Sequence, residues 1–167
     1  MPAKYNSEAG VPASASTHRE PNLRQRILVV EDDASIRELN TEILTCSGYL
    51  VDAAEDGAAA WDALQQNNYD LVVTDNEMPK VTGVELIKKL QDTHMDLPVI
   101  MATGTLPDEE FAHYPCLQPA VTLLKPYTFD ELLNAVKAVL RATSNALEEI
   151  APPPNWQTQP RANHLRL

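Results

Sequence analysis

Five short apolar runs punctuate the chain, and each gives way to polar residues before the next apolar run begins. They are Ile27-Leu28-Val29-Val30, Leu50 to Ala54, Leu71-Val72-Val73, Pro98 to Ala102, and Val121-Thr122-Leu123-Leu124. Runs of this length, bounded by turn signals, predict buried strands. The second is weaker, because Asp52 points opposite to its neighbours, as suits an edge or half-exposed position. Ile36, Leu39, Ile43 and Leu44 then recur at helical spacing behind Asp33, whose carboxylate can accept the orphan amides of a first turn; Ser47-Gly48 closes that element. A second helix starts at Asp56-Gly57, turns Ala60, Trp61 and Leu64 inward, and stops near Asn67-Asn68. Thr82 to Glu85 and Thr128 to Glu131 match the capping box, in which hydroxyl and carboxylate each satisfy one amide. The first opens a helix burying Val84, Leu86 or Ile87, and Leu90. The second opens one that buries Leu132, Leu133, Val136, Val139 and Leu140.

Strand and helix thus alternate five times, which predicts an α/β fold with a parallel sheet covered on both faces. One segment breaks the rhythm. Between Thr103 and Val121, Pro107, Pro115 and Pro119 confine any fourth helix to roughly Asp108 to Tyr114. Residues 1–24 are rich in Ala, Ser, Pro and Glu and read as a disordered tail. Residues 25–146 form the expected domain, and 147–167, with Pro152-Pro153-Pro154, read as an extended Pro-rich tail. One domain with tails suits a chain of 167 residues.

Charge narrows the function. A formal net charge of −11 argues against direct nucleic-acid binding, since a polyanion repels an acidic surface. No apolar run is long enough to span a bilayer, and the N-terminus lacks the apolar core of a signal peptide, so no membrane partner and a cytoplasmic location are expected. Cys46 and Cys116 are the only cysteines, too few for a disulfide framework or a cysteine metal cluster; Cys46 reads as packing near a helix seam, Cys116 as exposed. His18, His94, His113 and His164 share no ligand spacing.

The chemistry lies where the apolar strands end. The first, third, fourth and fifth stop at Glu31-Asp32, Asp75, Thr103 and Lys125. In a parallel sheet these ends share one edge, where open α/β folds place their ligands. Glu31, Asp32 and Asp75 would bring three carboxylates into one crevice, and two like charges ~4 Å apart repel by about 4 kcal/mol at an effective dielectric of 20. A cation relieves that repulsion, and Mg²⁺ commonly takes one or two carboxylates with waters and a phosphate. Lys125 can grip a phosphoryl oxygen and Thr103 can hydrogen-bond another. Carboxylate nucleophile, metal, cation and hydroxyl are the parts an aspartyl-phosphate needs.

Ile27-Leu28-Val29-Val30-Glu31-Asp32-Asp33, Thr74-Asp75-Asn76-Glu77-Met78-Pro79, Ile100-Met101-Ala102-Thr103 and Leu124-Lys125-Pro126 occur in this order and spacing. With them the chain, from about Arg26 to Arg141, resembles the receiver domain of two-component response regulators. The resemblance implies a flavodoxin-like, doubly wound five-stranded sheet in the order 2-1-3-4-5. It implies that Asp75 is phosphorylated from the phosphohistidine of a histidine kinase or phosphotransfer protein. It also implies that Glu31, Asp32, Asp75 and the backbone carbonyl of Glu77 hold Mg²⁺, that Lys125 binds the phosphoryl group through a chain that is cis at Pro126, and that Thr103 is a switch hydroxyl. Such a module is not an enzyme beyond catalysing its own phosphorylation and dephosphorylation.

Two positions depart from the family pattern. Thr122 stands three residues before the lysine, where the family usually has Tyr or Phe, and the fourth helix is interrupted by Pro115 and Pro119. These departures leave open a degenerate receiver that binds its partner without phosphorylation. A Mg²⁺-dependent phosphatase of the haloacid-dehalogenase type also uses an aspartate nucleophile. Such an enzyme usually carries a second Asp two positions on, where this chain has Glu77, and its nucleophile lies near the chain start rather than on the third strand. The output expected is that of a stand-alone regulator or phosphorelay module. Its protein target would dock on the fourth-helix and fifth-strand side, through Phe111, Tyr114 and Leu117.

Overall fold

The structure is a computed structural model that describes residues 24–150; the proposed disordered N-terminal tail up to residue 23 and the Pro-rich segment from residue 151 lie outside the described residues. Five strands, β1 (Arg26–Val30), β2 (Leu50–Ala54), β3 (Leu71–Asp75), β4 (Val99–Thr103) and β5 (Val121–Leu124), alternate with α1 (Ala34–Cys46), α2 (Gly57–Gln66), α3 (Gly83–Asp92), α4 (Asp108–His113) and α5 (Phe129–Ile150). They form one parallel sheet in the order β2-β1-β3-β4-β5. This is the flavodoxin-like order expected from the sequence.

Strand side chains point alternately to opposite faces, and the core divides accordingly. Leu28, Val30, Val72 and Met101 pack on one face with Ala60 and Leu64 of α2 and Leu86 and Leu90 of α3. Ile27, Val29, Leu71, Val73 and Ile100 pack on the other with Leu44 of α1 and Leu132, Val136 and Val139 of α5. β1, β3 and β4 are therefore buried on both sides, which explains their unbroken apolar sequence. β2, at the edge, is half-exposed, and Asp52 is tolerated there.

Helix starts follow the capping signals. Asp33 accepts from the amides of Ser35 and Ile36 at 2.8 and 3.1 Å, and Asp56 from Ala59 at 2.8 Å. Thr82 and Glu85 form a reciprocal box, as do Thr128 and Glu131, with N···O distances of 2.7 and 3.3 Å. Each such cap satisfies amides that helix geometry leaves without partners.

Several expectations change. On α1, Leu39 is 42% exposed while Asn40 is buried. The buried face is shifted by one residue because the Asn40 amide donates to the Tyr127 hydroxyl at 2.9 Å. Cys46 is exposed rather than packed. α5 continues to Ile150, past the expected end at 146. The fourth helix is short, as the prolines require, and a 3₁₀ turn at Pro115–Leu117 follows it. That turn buries Leu117 in the core, and Phe111 packs partly against the same cluster. Of the three apolar residues assigned to a docking face, only Tyr114 is largely exposed.

Candidate functional site

Strand register brings four chain segments to one edge. Val30 pairs with Thr74, so Glu31 lies beside Asp75; Asp75 pairs with Ala102, one residue before Thr103; and Thr103 pairs with Leu124, one residue before Lys125. Glu31, Asp75 and Thr103 are buried and Asp32 is exposed. Carboxylate oxygens of Glu31, Asp32 and Asp75 lie within 4.8 Å of one another. The Lys125 ammonium donates to Asp75 Oδ2 at 2.7 Å and to Glu31 Oε2 at 2.8 Å, and the Lys125-Pro126 bond is cis.

The electrostatics follow from crowding and burial. Loss of water raises the pKa of Glu31 above its ordinary value; the hydrogen bond and charge of Lys125 oppose this, while the charges of Asp75 and Asp32 add to it. For Lys125, burial works against the ammonium, but the hydrogen bonds and charges of Asp75 and Glu31 outweigh it, and its pKa is raised. The cluster is thus a partly buried group of three carboxylates around one protein cation.

The backbone around Asp75 is closely fitted. A Cβ on Gly83 would stand 2.5 Å from the Asp75 carbonyl oxygen, so α3 can start this near the strand only with glycine there. The Glu77 amide donates to Asp75 Oδ1 at 3.1 Å. Asn76 Oδ1 accepts from the Val84 amide at 3.2 Å, tying the turn to α3. The Glu77 side chain is exposed, and its Oε1 lies 3.8 Å from where a Cβ on Gly104 would stand. Thr103 is on the right edge but turned to its own chain: its hydroxyl donates to Thr105 O at 2.8 Å and accepts from the Thr105 amide at 3.3 Å. Thr122 of β5, paired with Met101 of β4, is half-buried.

Three sets of residues were missed from sequence. Arg37 Nη1 donates to the carbonyls of Glu31 and Asp32 at 2.6 and 3.1 Å, holding the acidic loop from α1. Asn40 and Tyr127 join α1 to the chain just after Lys125. Asp56 accepts from Lys80 at 2.5 Å. A basic residue one turn into a helix behind an acidic pair is a usable signal for the first; the other two are long-range pairings without a local pattern.

The chain is similar to known proteins. A family model described as the response regulator receiver domain matches residues 27–137. A response regulator MprA from a Mycobacterium species is 38% identical over 121 residues, covering 71% of this chain and 52% of the relative; the chain spans about half the length of the curated relatives it matches. Among solved structures, a Francisella response regulator receiver domain is 28% identical with a TM-score of 0.66, covering 72% of this chain and 99% of that one. The response regulator TrrA of Thermotoga maritima, in complex with Mg²⁺-BeF, is 34% identical with a TM-score of 0.60, covering 69% and 98%. Among the described residues no helix is long and apolar enough to cross a membrane.

Proposed function

The chain belongs to the response regulator receiver domain family of two-component signalling, and on that premise we propose that it is a phosphoacceptor module in which Asp75 takes a phosphoryl group from a histidine kinase or phosphotransfer protein. The observation that carries this reading is the convergence of Lys125 with Glu31 and Asp75, supplied by three different strand ends.

The donor set fits Mg²⁺. Three carboxylates within 4.8 Å offer oxygen ligands to a hard ion, and the buried Glu31 is strained by desolvation in a way a cation would relieve. Glu31, Asp32, Asp75 and the Glu77 carbonyl would hold it, and bound Mg²⁺ would neutralise charge on the phosphoryl oxygens. In the reaction, an Asp75 oxygen forms a bond to phosphorus as the P–N bond of the donor histidine breaks, and the imidazole nitrogen keeps the electron pair. Lys125, which donates to Glu31 and Asp75, would move to a phosphoryl oxygen, trading one anionic partner for another. Thr103 would reach the same group by giving up its bond to Thr105.

The solved relative that holds Mg²⁺-BeF suggests the probe. Thermal melts with Mg²⁺ and beryllofluoride should show a rise for the native chain and none for Asp75→Asn; equal rises would refute the assignment. A second reading, partner binding without phosphorylation, is favoured by Thr122 and by the six-residue α4, since both alter the surface by which phosphorylation would be reported. Partner affinity unmoved by phosphodonor would select it.

A further inference from the structure

The loop between β3 and α3, residues 76–82, carries Glu77 and is fastened to a neighbouring helix at two consecutive positions. Lys80 has φ 66°, in the left-handed region that residues with a Cβ seldom occupy. From there its ammonium donates to Asp56 Oδ2 at 2.5 Å. Asp56 is buried, and its other oxygen accepts from the Ala59 amide at 2.8 Å as the cap of α2. The next loop residue, Val81, packs on Gly57 so tightly that a Cβ there would meet Val81 O at 2.5 Å and the Val81 Cβ at 2.8 Å. At its two ends the loop is set against Asp75 itself, by the Glu77 amide on Oδ1 and by the close approach of Gly83.

We propose that Asp56 and Lys80 are positioning residues for the acidic site: their ion pair holds the loop so that the Glu77 carbonyl is presented to a divalent cation among Glu31, Asp32 and Asp75. This rests on the reading of Glu77 as a backbone ligand. Mg²⁺ demands near-ideal octahedral geometry and is bound through few protein ligands, so a carbonyl that wanders weakens it directly. The capping bond fixes Asp56 to α2, and the ion pair passes that position on to the loop. The hydrogen bond from Lys80, and then the Ala59 amide, hold the Asp56 carboxyl below its ordinary pKa, so the pair persists through the neutral range. Neither residue belongs to the carboxylate cluster, so each acts on the site through Glu77.

The test is calorimetric titration of Mg²⁺ into the full chain, with melts in EDTA alongside. Lys80→Met is expected to weaken Mg²⁺ binding by roughly three- to tenfold, at or below the low end for residues that support metal ligands, and Lys80→Arg to recover it. The Lys80 side chain is 64% exposed but its partner Asp56 is buried, so Lys80→Met should lower the melt in EDTA modestly, and Mg²⁺ affinity is read at a temperature where both proteins are fully folded. Asp56→Asn should weaken Mg²⁺ as well, and Lys80→Met keeps the test decisive if that variant folds poorly. A Lys80→Met protein that binds Mg²⁺ as tightly as the native chain overturns the positioning role and leaves the acidic site standing. A native chain that binds no Mg²⁺ overturns the acidic-site reading and this inference with it.

Discussion

Lys125 Nζ lies 2.7 Å from Asp75 Oδ2 although 50 positions separate the two residues. The same ammonium is 2.8 Å from Glu31 Oε2, so one cation offsets two buried carboxylates. Lys125→Met leaves that pair uncompensated. In EDTA it should lower stability by about 1–2 kcal/mol, less than for a fully buried pair because the lysine is partly exposed; added Mg²⁺ should restore part of the loss. Phosphorylation by acetyl phosphate should slow on the order of a hundredfold, the usual scale for one lost transition-state donor. Melts and single-turnover kinetics check both.

Gly83→Ala should disturb Asp75 where Gly104→Ala does not. At Gly83 the new Cβ would stand 2.5 Å from the Asp75 carbonyl, a backbone atom that cannot swing away, whereas at Gly104 the nearest atom is Glu77 Oε1 at 3.8 Å, an ordinary contact. Overpacking of this kind costs about 1–3 kcal/mol. The two melts, measured side by side, should therefore differ clearly.

The Asp56–Lys80 pair gives a signed pH dependence. The Asp56 carboxyl is held below its ordinary 3.8, first by the Lys80 hydrogen bond. A carboxylate with a depressed folded pKa contributes stability above the unfolded value and loses it as pH falls through the folded one. The gap in melting temperature between the native chain and Asp56→Asn should be flat near neutrality and shrink only below about 3.8. A gap that closes near neutrality would contradict the pairing.

Tyr127→Phe should cost about 1 kcal/mol, because it leaves the buried Asn40 amide without its acceptor at 2.9 Å. Replacing both, Asn40→Leu with Tyr127→Phe, removes donor and acceptor together and should recover most of that loss. Denaturant titrations of these two variants and of Asn40→Leu alone, with the native chain, form a double-mutant cycle that reads the coupling directly.

The sheet and four helix starts were legible because each is a local pattern: apolar runs, capping boxes, and prolines that limit α4. The candidate site was legible for a related reason, since Glu31, Asp75, Thr103 and Lys125 each stand at the end of such a run and parallel pairing aligns those ends. What remained hidden depends on distant partners. Asn40 displaces Leu39 from the buried face of α1 because Tyr127, 87 positions away, supplies its acceptor. Leu117 enters the core because a 3₁₀ turn, closed by its amide on Tyr114 O at 2.9 Å, sets its direction. Lys80 reaches Asp56 only from a left-handed backbone that no local residue pattern announced.

The central claim is that Asp75 is the phosphoacceptor, and intact-mass measurement after brief incubation with acetyl phosphate and Mg²⁺ tests it most directly. The expected result is a gain of one phosphoryl group in the native chain, none in EDTA, and none in Asp75→Asn. A phosphoryl adduct of equal yield on Asp75→Asn would contradict it.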